Sequence, residues 1–195
     1  MKYRTILLFG APGVGKGTQG KILGSIPNFF HCACGDVFRN LRADSPLGRL
    51  FIDYSGRGQL VPDEPTIELW QQFIDNQTKI GRFHPDLDTL VLDGIPRNVR
   101  QAEILKNTLN VVGVFYLKSA DEDRLVARIQ RRAVKENRLD DANLNVIRDR
   151  LHVYESETKP VLNFYGDSLV HQINADQQPA KVLVDILTIV ATRQD

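Results

Sequence analysis

The feature that most constrains this chain is a glycine-rich run that directly follows an apolar, β-prone segment. Residues 3–9 are almost continuously apolar, which predicts a strand buried on both faces of a parallel sheet. The run GAPGVGKGT at positions 10–18 follows and opens a helix. Glycines let backbone N–H groups surround an anion, the helix N-terminus adds about half a positive charge, and Lys16 can reach phosphate oxygens. The alternative, a plain strand-to-helix turn, needs neither the lysine nor three alternating glycines. We therefore predict a phosphate-binding loop.

Similar short apolar runs recur along the chain, and each is followed by a segment of helical periodicity. They lie at residues 29–34, 89–92, 111–117 and 168–173. Five strands alternating with helices predict an α/β fold of three layers, a P-loop core with a five-stranded parallel sheet. Length favours one domain over residues 1–195.

Two stretches interrupt this alternation. Residues 34–62 hold two short helical patterns without a strand between them, and residues 131–142 are polar, basic and without periodicity. Both predict mobile flaps over a site at the strand ends. We call them the acceptor flap (34–62) and the lid (131–142).

Composition narrows the class of protein and its partners. Hydrophobic residues make up 42% of the chain, and 25 basic against 24 acidic residues leave a net charge of +1, which gives no global field for nucleic acid or a membrane surface. The only cysteines, Cys32 and Cys34, stand on one predicted strand, where a disulfide would be strained and no zinc set is complete. No apolar stretch approaches the roughly 18 residues of a membrane span. We expect a cytoplasmic protein without zinc.

A second cluster of polar residues follows the strand at 89–92. Asp93 stands where a carboxylate would hold the hydration shell of Mg²⁺ beside a phosphate loop, and Arg97 would face the same crevice as a fork for a second phosphate. Gln101 lies one helical turn further on and suits the N6 and N7 edge of adenine. Taken singly, Arg97 and Gln101 could equally be solvated surface residues. A GTPase would normally carry an Asn-Lys-x-Asp motif, which is missing, and a large ATPase machine needs a longer chain.

Several motifs together resemble the adenylate kinase family over nearly the whole chain. They are the loop at 10–18, Gly35-Asp36 with Arg39, the run GQLVPD at 58–63, residues 93–97 with Gln101, and Arg138 with Asp140-Asp141 and Arg150. The resemblance implies a short-lid nucleoside monophosphate kinase that transfers a phosphoryl group reversibly from MgATP to AMP, giving two ADP. It also implies a monomer without nucleic-acid or membrane partners.

The resemblance also implies the role of individual residues. ATP would be bound by Gly13, Val14, Gly15, Lys16, Gly17, Thr18, Arg128 and Arg132. AMP would be bound by Cys34, Gly35, Arg39, Gln59, Leu60, Val61, Gly94, Ile95, Pro96, Arg97, Gln101, Arg138 and Arg150. The catalytic residues would be Lys16, Arg97, Arg132, Arg138 and Arg150, and Thr18 with Asp93 would hold Mg²⁺, largely through water.

Residues 124–150 are strongly basic and carry a net charge of +4. Arg124, Arg128 and Arg132 are spaced to lie along one helix face, where they would repel each other unless an anion lay among them. A solvated basic face is the preferred interpretation for Arg124 and Arg131. Asp140 and Asp141 are expected to pair with the arginines when the lid folds over.

Three departures from the family pattern bear on specificity and packing. Cys34 stands where threonine is usual, Ile95 replaces an aromatic residue, and Glu136-Asn137 replaces Ser-Gly. The alternatives left open are a UMP/CMP kinase or other nucleoside monophosphate kinase, another small-molecule kinase, and a nucleotide sensor without chemistry. Gln101 favours AMP as the acceptor, since UMP/CMP kinases usually carry asparagine there.

Overall fold

The sheet has five parallel strands in the order β2-β3-β1-β4-β5. The computed structural model describes residues 2–136, 138, 141 and 143–192. The strands are β1 (Tyr3–Phe9), β2 (Phe29–Ala33), β3 (Thr89–Asp93), β4 (Leu109–Lys118) and β5 (Val170–Asn174). This arrangement confirms the predicted α/β class and places the carboxyl ends of β1 and β3 side by side, with Leu8 opposite Asp93.

Helices follow or connect the strands. They are α1 (Lys16–Leu23), α2 (Cys34–Arg39), α3 (Pro46–Gly56), α4 (Asp63–Lys79), α5 (Val99–Leu105), α6 (Glu122–Lys135), α7 (Leu144–Val153), α8 (Val161–Tyr165) and α9 (Pro179–Thr192), with a π-helical turn at Tyr154–Thr158. No helix within the described ranges combines the length and apolarity needed to cross a membrane.

Two of the differences from the predicted boundaries bear on the site. Cys34, predicted as the end of a strand, is instead the first residue of α2, so the two cysteines do not share a strand. α6 continues to Lys135 and so includes the first five residues of the predicted lid, 131–142. Its buried Leu125 and Ile129 anchor the helix on the core, and the basic residues of its last turn complement the helix dipole. The irregular pattern from residue 131 therefore reflects a solvated helix end.

The hydrophobic core lies on both faces of the sheet, as a parallel sheet requires. One face is packed around Trp70, Leu90 and Leu92, and the other around Leu23, Phe115 and Ile129, all of them essentially inaccessible to solvent. The neighbours Leu7 and Leu8 of β1 contribute to opposite faces. The buried layers hold the strand ends rigidly beneath the glycine-rich loop.

The acceptor flap contains α2 and α3 and returns to the core through Gly58. Ser45 caps α3 by accepting a hydrogen bond from the Gly48 N–H at 3.0 Å, and Pro46 follows at the first helical position. Gly58 has φ +71°, and a Cβ there would lie 2.9 Å from both the Val146 carbonyl oxygen and the Asp149 Cβ. The backbone at the end of the flap thus packs directly against α7.

Candidate active site

A cavity of about 490 Å³ opens at the carboxyl ends of β1 and β3. All of the residues predicted to bind ATP, AMP or Mg²⁺ line this cavity. Val14, Cys34, Ile95 and Gln101 are almost fully buried in its wall, whereas Thr18 is exposed. The fold therefore brings residues from four separate regions to one place: the loop at 10–18, the acceptor flap, residues 93–101 and the α6–α7 region.

The glycine-rich loop depends on its glycines for both backbone conformation and packing. Gly10, Gly13 and Gly15 have φ values of +141°, +80° and +110°, which L side chains rarely adopt. A Cβ on Gly10 would lie 2.4 Å from the Leu117 carbonyl oxygen, and one on Gly13 would lie 2.8 Å from that of Leu125. Gly15 precedes α1 without a side-chain cap, so the helix N-terminus is directed at an anion site.

Lys16 extends from the first residue of α1 back across the loop. Its Nζ donates to the carbonyl oxygens of Gly10 at 2.7 Å and Ala11 at 3.1 Å. Burial, opposed by the charge of Asp93 and reinforced by nearby arginines, lowers the pKa of Lys16 to about 8. The ammonium group is thus held among neutral oxygens in a site where an incoming phosphate would favour its charged form.

Asp93 ends β3 directly beneath α1. Its Oδ2 lies 3.6 Å from the position that a Cβ on Gly17 would take, so the carboxylate faces the loop that would carry the phosphates. No cluster of three or more metal-ligating side chains occurs in the described part of the chain. Asp93 and Thr18 nevertheless fit a Mg²⁺ site, because Mg²⁺ is commonly held by one or two carboxylates, water and substrate phosphates.

Two arginines lie over two glycines at the acceptor end of the cavity. The Arg39 Nη1 atom lies 3.0 Å from the position of a Cβ on Gly35, and the Arg97 Nη2 atom lies 3.5 Å from that of a Cβ on Gly94. The Arg97 Nε donates to the Gly94 carbonyl at 2.8 Å. The same Gly94 Cβ position is 3.9 Å from the Gly35 nitrogen, so the two glycines that these arginines cover are neighbours in the cavity wall.

Gln101 is buried, contrary to the alternative of an exposed helix residue. Its Oε1 accepts from the Arg97 N–H and its Nε2 donates to Asp63 Oδ1, both at 2.8 Å. Cys34 lines the same region as a free thiol, and burial raises its pKa to about 11. The thiol therefore stays protonated and offers only a weak donor and acceptor.

Carboxylates hold three arginines that line the cavity from α6, α7 and the lid. Asp141 is fully buried and receives hydrogen bonds from Arg132, at 2.6 and 3.0 Å, and from Arg150. Arg138 donates to Glu136 at 2.6 Å and reaches Asp36 of the acceptor flap at 3.3 Å. Asp141 thus pairs with the arginines as expected, while Asn137, Leu139, Asp140 and Ala142 lie outside the described residues.

The two arginines expected on a solvated face differ from each other. Arg124 donates to the Asp176 carbonyl oxygen at 3.2 Å and lies near its carboxylate. Arg131 is exposed yet lines the cavity. The solvated-face interpretation therefore misses a place for Arg131 at the rim of the site.

Sequence reasoning gave no role to three carboxylates that contact site residues. Asp36 accepts from Arg39 at 3.0 Å as well as from Arg138, Asp63 holds Gln101, and Glu136 holds Arg138. Asp36 and Asp63 stand inside the recognised motifs, which is a usable signal. Glu136 is a departure from the family pattern and carried no signal of contact with Arg138.

Comparisons with known proteins agree with this geometry. The sequence model described as "Adenylate kinase" matches residues 8–170. An adenylate kinase from Cyanothece sp. is 37% identical over 191 residues, covering 95% of this chain and 94% of its own. An adenylate kinase from Thermobifida fusca is 35% identical over 194 residues, covering 96% and 98%, and one from Parabacteroides distasonis is 34% identical over 165 residues, covering 82% and 83%. Matches of this extent show that the chain belongs to the adenylate kinase family.

Proposed function

We propose that the protein catalyses reversible phosphoryl transfer from MgATP to AMP, giving two ADP. The observation that carries this proposal is the convergence of two cationic sites on one cavity: Lys16 in the glycine-rich loop, and the pair Arg39 and Arg97 over their glycines. A nucleotide sensor needs one phosphate site, whereas a kinase acting on a nucleoside monophosphate needs two. Membership of the adenylate kinase family supports the same enzyme class, a phosphotransferase.

The chemistry requires positioning and charge neutralisation more than a covalent intermediate. Lys16 and the uncapped N-terminus of α1 would bind the donor phosphates, and Arg97 with Arg39 would bind the acceptor phosphate opposite them. Arg132, Arg138 and Arg150 would offset the charge that develops on the transferred group. Flap and lid closure would exclude water, which would otherwise accept the phosphoryl group.

Asp93 and Thr18 are the residues that would hold Mg²⁺, largely through water. When bound, Mg²⁺ neutralises phosphate charge and orients the donor phosphates. Chelation of Mg²⁺ is therefore expected to abolish turnover while the fold remains intact. We also expect the enzyme to work as a cytoplasmic monomer, and its two cysteines are free thiols.

The test is an acceptor panel of AMP, dAMP, UMP, CMP and GMP with MgATP as the donor. We expect the highest kcat/KM with AMP and slower use of dAMP or a pyrimidine monophosphate. A Cys34→Thr variant should keep AMP as the best acceptor, because Gln101 remains in place. A higher kcat/KM for UMP or CMP would assign the protein to the UMP/CMP kinases instead.

A second measurement separates a kinase from a sensor. Calorimetry with ATP, AMP and a bisubstrate dinucleoside polyphosphate is expected to show two nucleotide sites, both filled by the bisubstrate compound. A single site, together with no ADP formation from MgATP and AMP, would contradict the proposed reaction.

A further inference from the structure

Asp63 connects the acceptor flap to the wall of the cavity that carries Gln101. It is the first residue of α4, immediately after the flap, and its side chain is only 13% exposed. Its Oδ1 accepts hydrogen bonds from Asn98 Nδ2 and Gln101 Nε2, both at 2.8 Å. The sequence motifs gave this carboxylate no role, and it lies one side chain away from the cavity surface.

The contacts of Gln101 determine which way round its amide group lies. A backbone N–H only donates and an ionised carboxylate only accepts. Because Oε1 faces the Arg97 N–H and Nε2 faces Asp63, turning the amide over would oppose donor to donor and acceptor to acceptor. The orientation is therefore dictated by the two partners, and one N–H and one oxygen lone pair of the amide remain for a ligand.

Asn98 strengthens this arrangement. Its Oδ1 accepts from the Gln101 backbone N–H at 2.8 Å as the cap of α5, which directs its Nδ2 toward Asp63. The carboxylate is thereby held in place by a group whose own orientation is determined by the helix. Asp63, Asn98 and Gln101 therefore form one hydrogen-bonded network that leaves one N–H of the Gln101 amide for a ligand.

We propose that Asp63 is a positioning residue that makes the acceptor site selective for 6-aminopurine over 6-oxopurine monophosphates, an inference that rests on the proposed function of this site. A 6-amino group donates, whereas a 6-oxo group accepts. The lone pair left on Gln101 Oε1 accepts from the former and repels the latter. An amide that could turn over would offer Nε2 to the 6-oxo group and lose this selectivity.

The direct test compares AMP with IMP as acceptors in the parent and in Asp63→Leu. IMP differs from AMP at the 6-position without the additional 2-amino group of GMP. We expect the ratio of kcat/KM for AMP to that for IMP to fall by about tenfold in the variant, the scale of one unsatisfied buried hydrogen-bonding group. A change of less than twofold in the folded variant would overturn the proposal.

Two further variants separate positioning from a general loss of structure. Asp63→Asn keeps the size of the side chain but both donates and accepts, so it should lower the ratio in the same direction as Asp63→Leu while the fold is retained. Glu64→Ala removes the neighbouring acid in the first turn of α4, which pairs with Arg100, and should leave the ratio unchanged. Equal losses of kcat/KM with both acceptors in Asp63→Leu would show a structural role only and contradict the proposal.

If Asp63→Leu does not fold, Asp63→Ser supplies the same test. A hydroxyl group both donates and accepts, so it no longer dictates the orientation of the amide. Failure of the parent to form ADP from AMP would contradict the proposed function itself. An active parent whose AMP-to-IMP ratio is unaffected by Asp63→Ser would contradict only the role of Asp63.

Discussion

Lys16 of the glycine-rich loop and Arg97 of the β3–α5 loop are held by neutral main-chain oxygens, whereas three arginines of α6, α7 and the lid are held by carboxylates. Lys16 donates to Gly10 and Ala11, and Arg97 donates to Gly94. Arg132 and Arg150 instead share Asp141, while Arg138 lies between Glu136 and Asp36. Neutral partners leave the positive charge available for a phosphate, but a carboxylate competes with it.

This difference suggests different tasks for the two sets. We expect the first set to form a site whose charge is available to the phosphates before they bind. We expect the second set to exchange at least one carboxylate for a phosphate on binding, which would couple movement of the lid to the presence of nucleotide. Asp36 connects the acceptor flap with Arg138, because its carboxylate pairs with both Arg39 and Arg138.

The largest effect is expected from removing the charge of the first set. Lys16→Met keeps the length of the side chain but removes its ammonium group, and turnover should fall by roughly 10² or more, the scale of losing one preorganised electrostatic group. Steady-state kinetics and thermal denaturation should show lost kcat with a retained fold. Lys79→Met, at the exposed end of α4, is the matched control, and near-normal turnover of Lys16→Met would refute the role of Lys16.

Arg97→Ala should affect the acceptor selectively. Losing a charge-assisted hydrogen bond costs about 1.5–3 kcal/mol, so the KM for AMP should rise by about ten- to a hundredfold while ATP affinity stays unchanged. Calorimetry with ATP and AMP separately measures whether only the binding of AMP is weakened. Arg82→Ala removes an exposed arginine that does not line the cavity and serves as the control. Equal weakening of ATP and AMP binding would place Arg97 elsewhere.

The pH dependence of ATP binding tests the neutral surroundings of Lys16. Its pKa is lowered to about 8 in the free protein, and bound phosphate should raise it toward its ordinary value of 10.5. Above pH 8 the free protein has released this proton but the complex retains it. Affinity should therefore fall by up to about tenfold per pH unit, with proton uptake on binding.

Calorimetry at pH 9 in two buffers of different ionisation enthalpy measures that uptake. Lys16→Met should abolish it. Binding of MgATP without proton uptake at pH 9 in the parent protein would contradict the depressed pKa.

The smallest effect is expected from removing one carboxylate that competes with phosphate for an arginine of the second set. Glu136→Gln removes a carboxylate that pairs with Arg138, and a bisubstrate analogue should bind about two- to fivefold more tightly, since such an exposed ion pair contributes about 0.2–1 kcal/mol. Glu68→Gln on α4 makes the same change in net charge away from the site. Weaker binding in Glu136→Gln would show that Glu136 positions Arg138 rather than competing for it.

Sequence alone predicted the strands and the phosphate loop because their signals are local. The apolar run at Tyr3–Phe9 matches β1 at both ends, and the glycines of the loop occur where the backbone has positive φ. The extent of α6 was missed because its last turn is solvated and held by the buried residues of preceding turns. The local periodicity of the last turn does not indicate that buried residues in earlier turns stabilise it.

The contacts between the residues of the candidate site were harder to predict than which residues line the cavity. Which carboxylate holds which arginine depends on contacts between distant positions, such as Asp36 with Arg138 or Asp63 with Gln101. The resemblance supplied the residues of the site, but Glu136 departs from the family pattern and its contact with Arg138 became visible only in three dimensions.

The close packing of the Gly58 backbone against α7 determines which substitutions this part of the flap can tolerate. Gly56, two residues earlier, has nothing within 4 Å of where a Cβ would stand, whereas Gly58 has positive φ and meets the Val146 carbonyl oxygen and Asp149 at 2.9 Å. Any side chain at position 58 would push the returning flap away from the helix that carries Arg150. Among descendants of this sequence, position 56 is free to drift, while position 58 can change only together with the surface of α7.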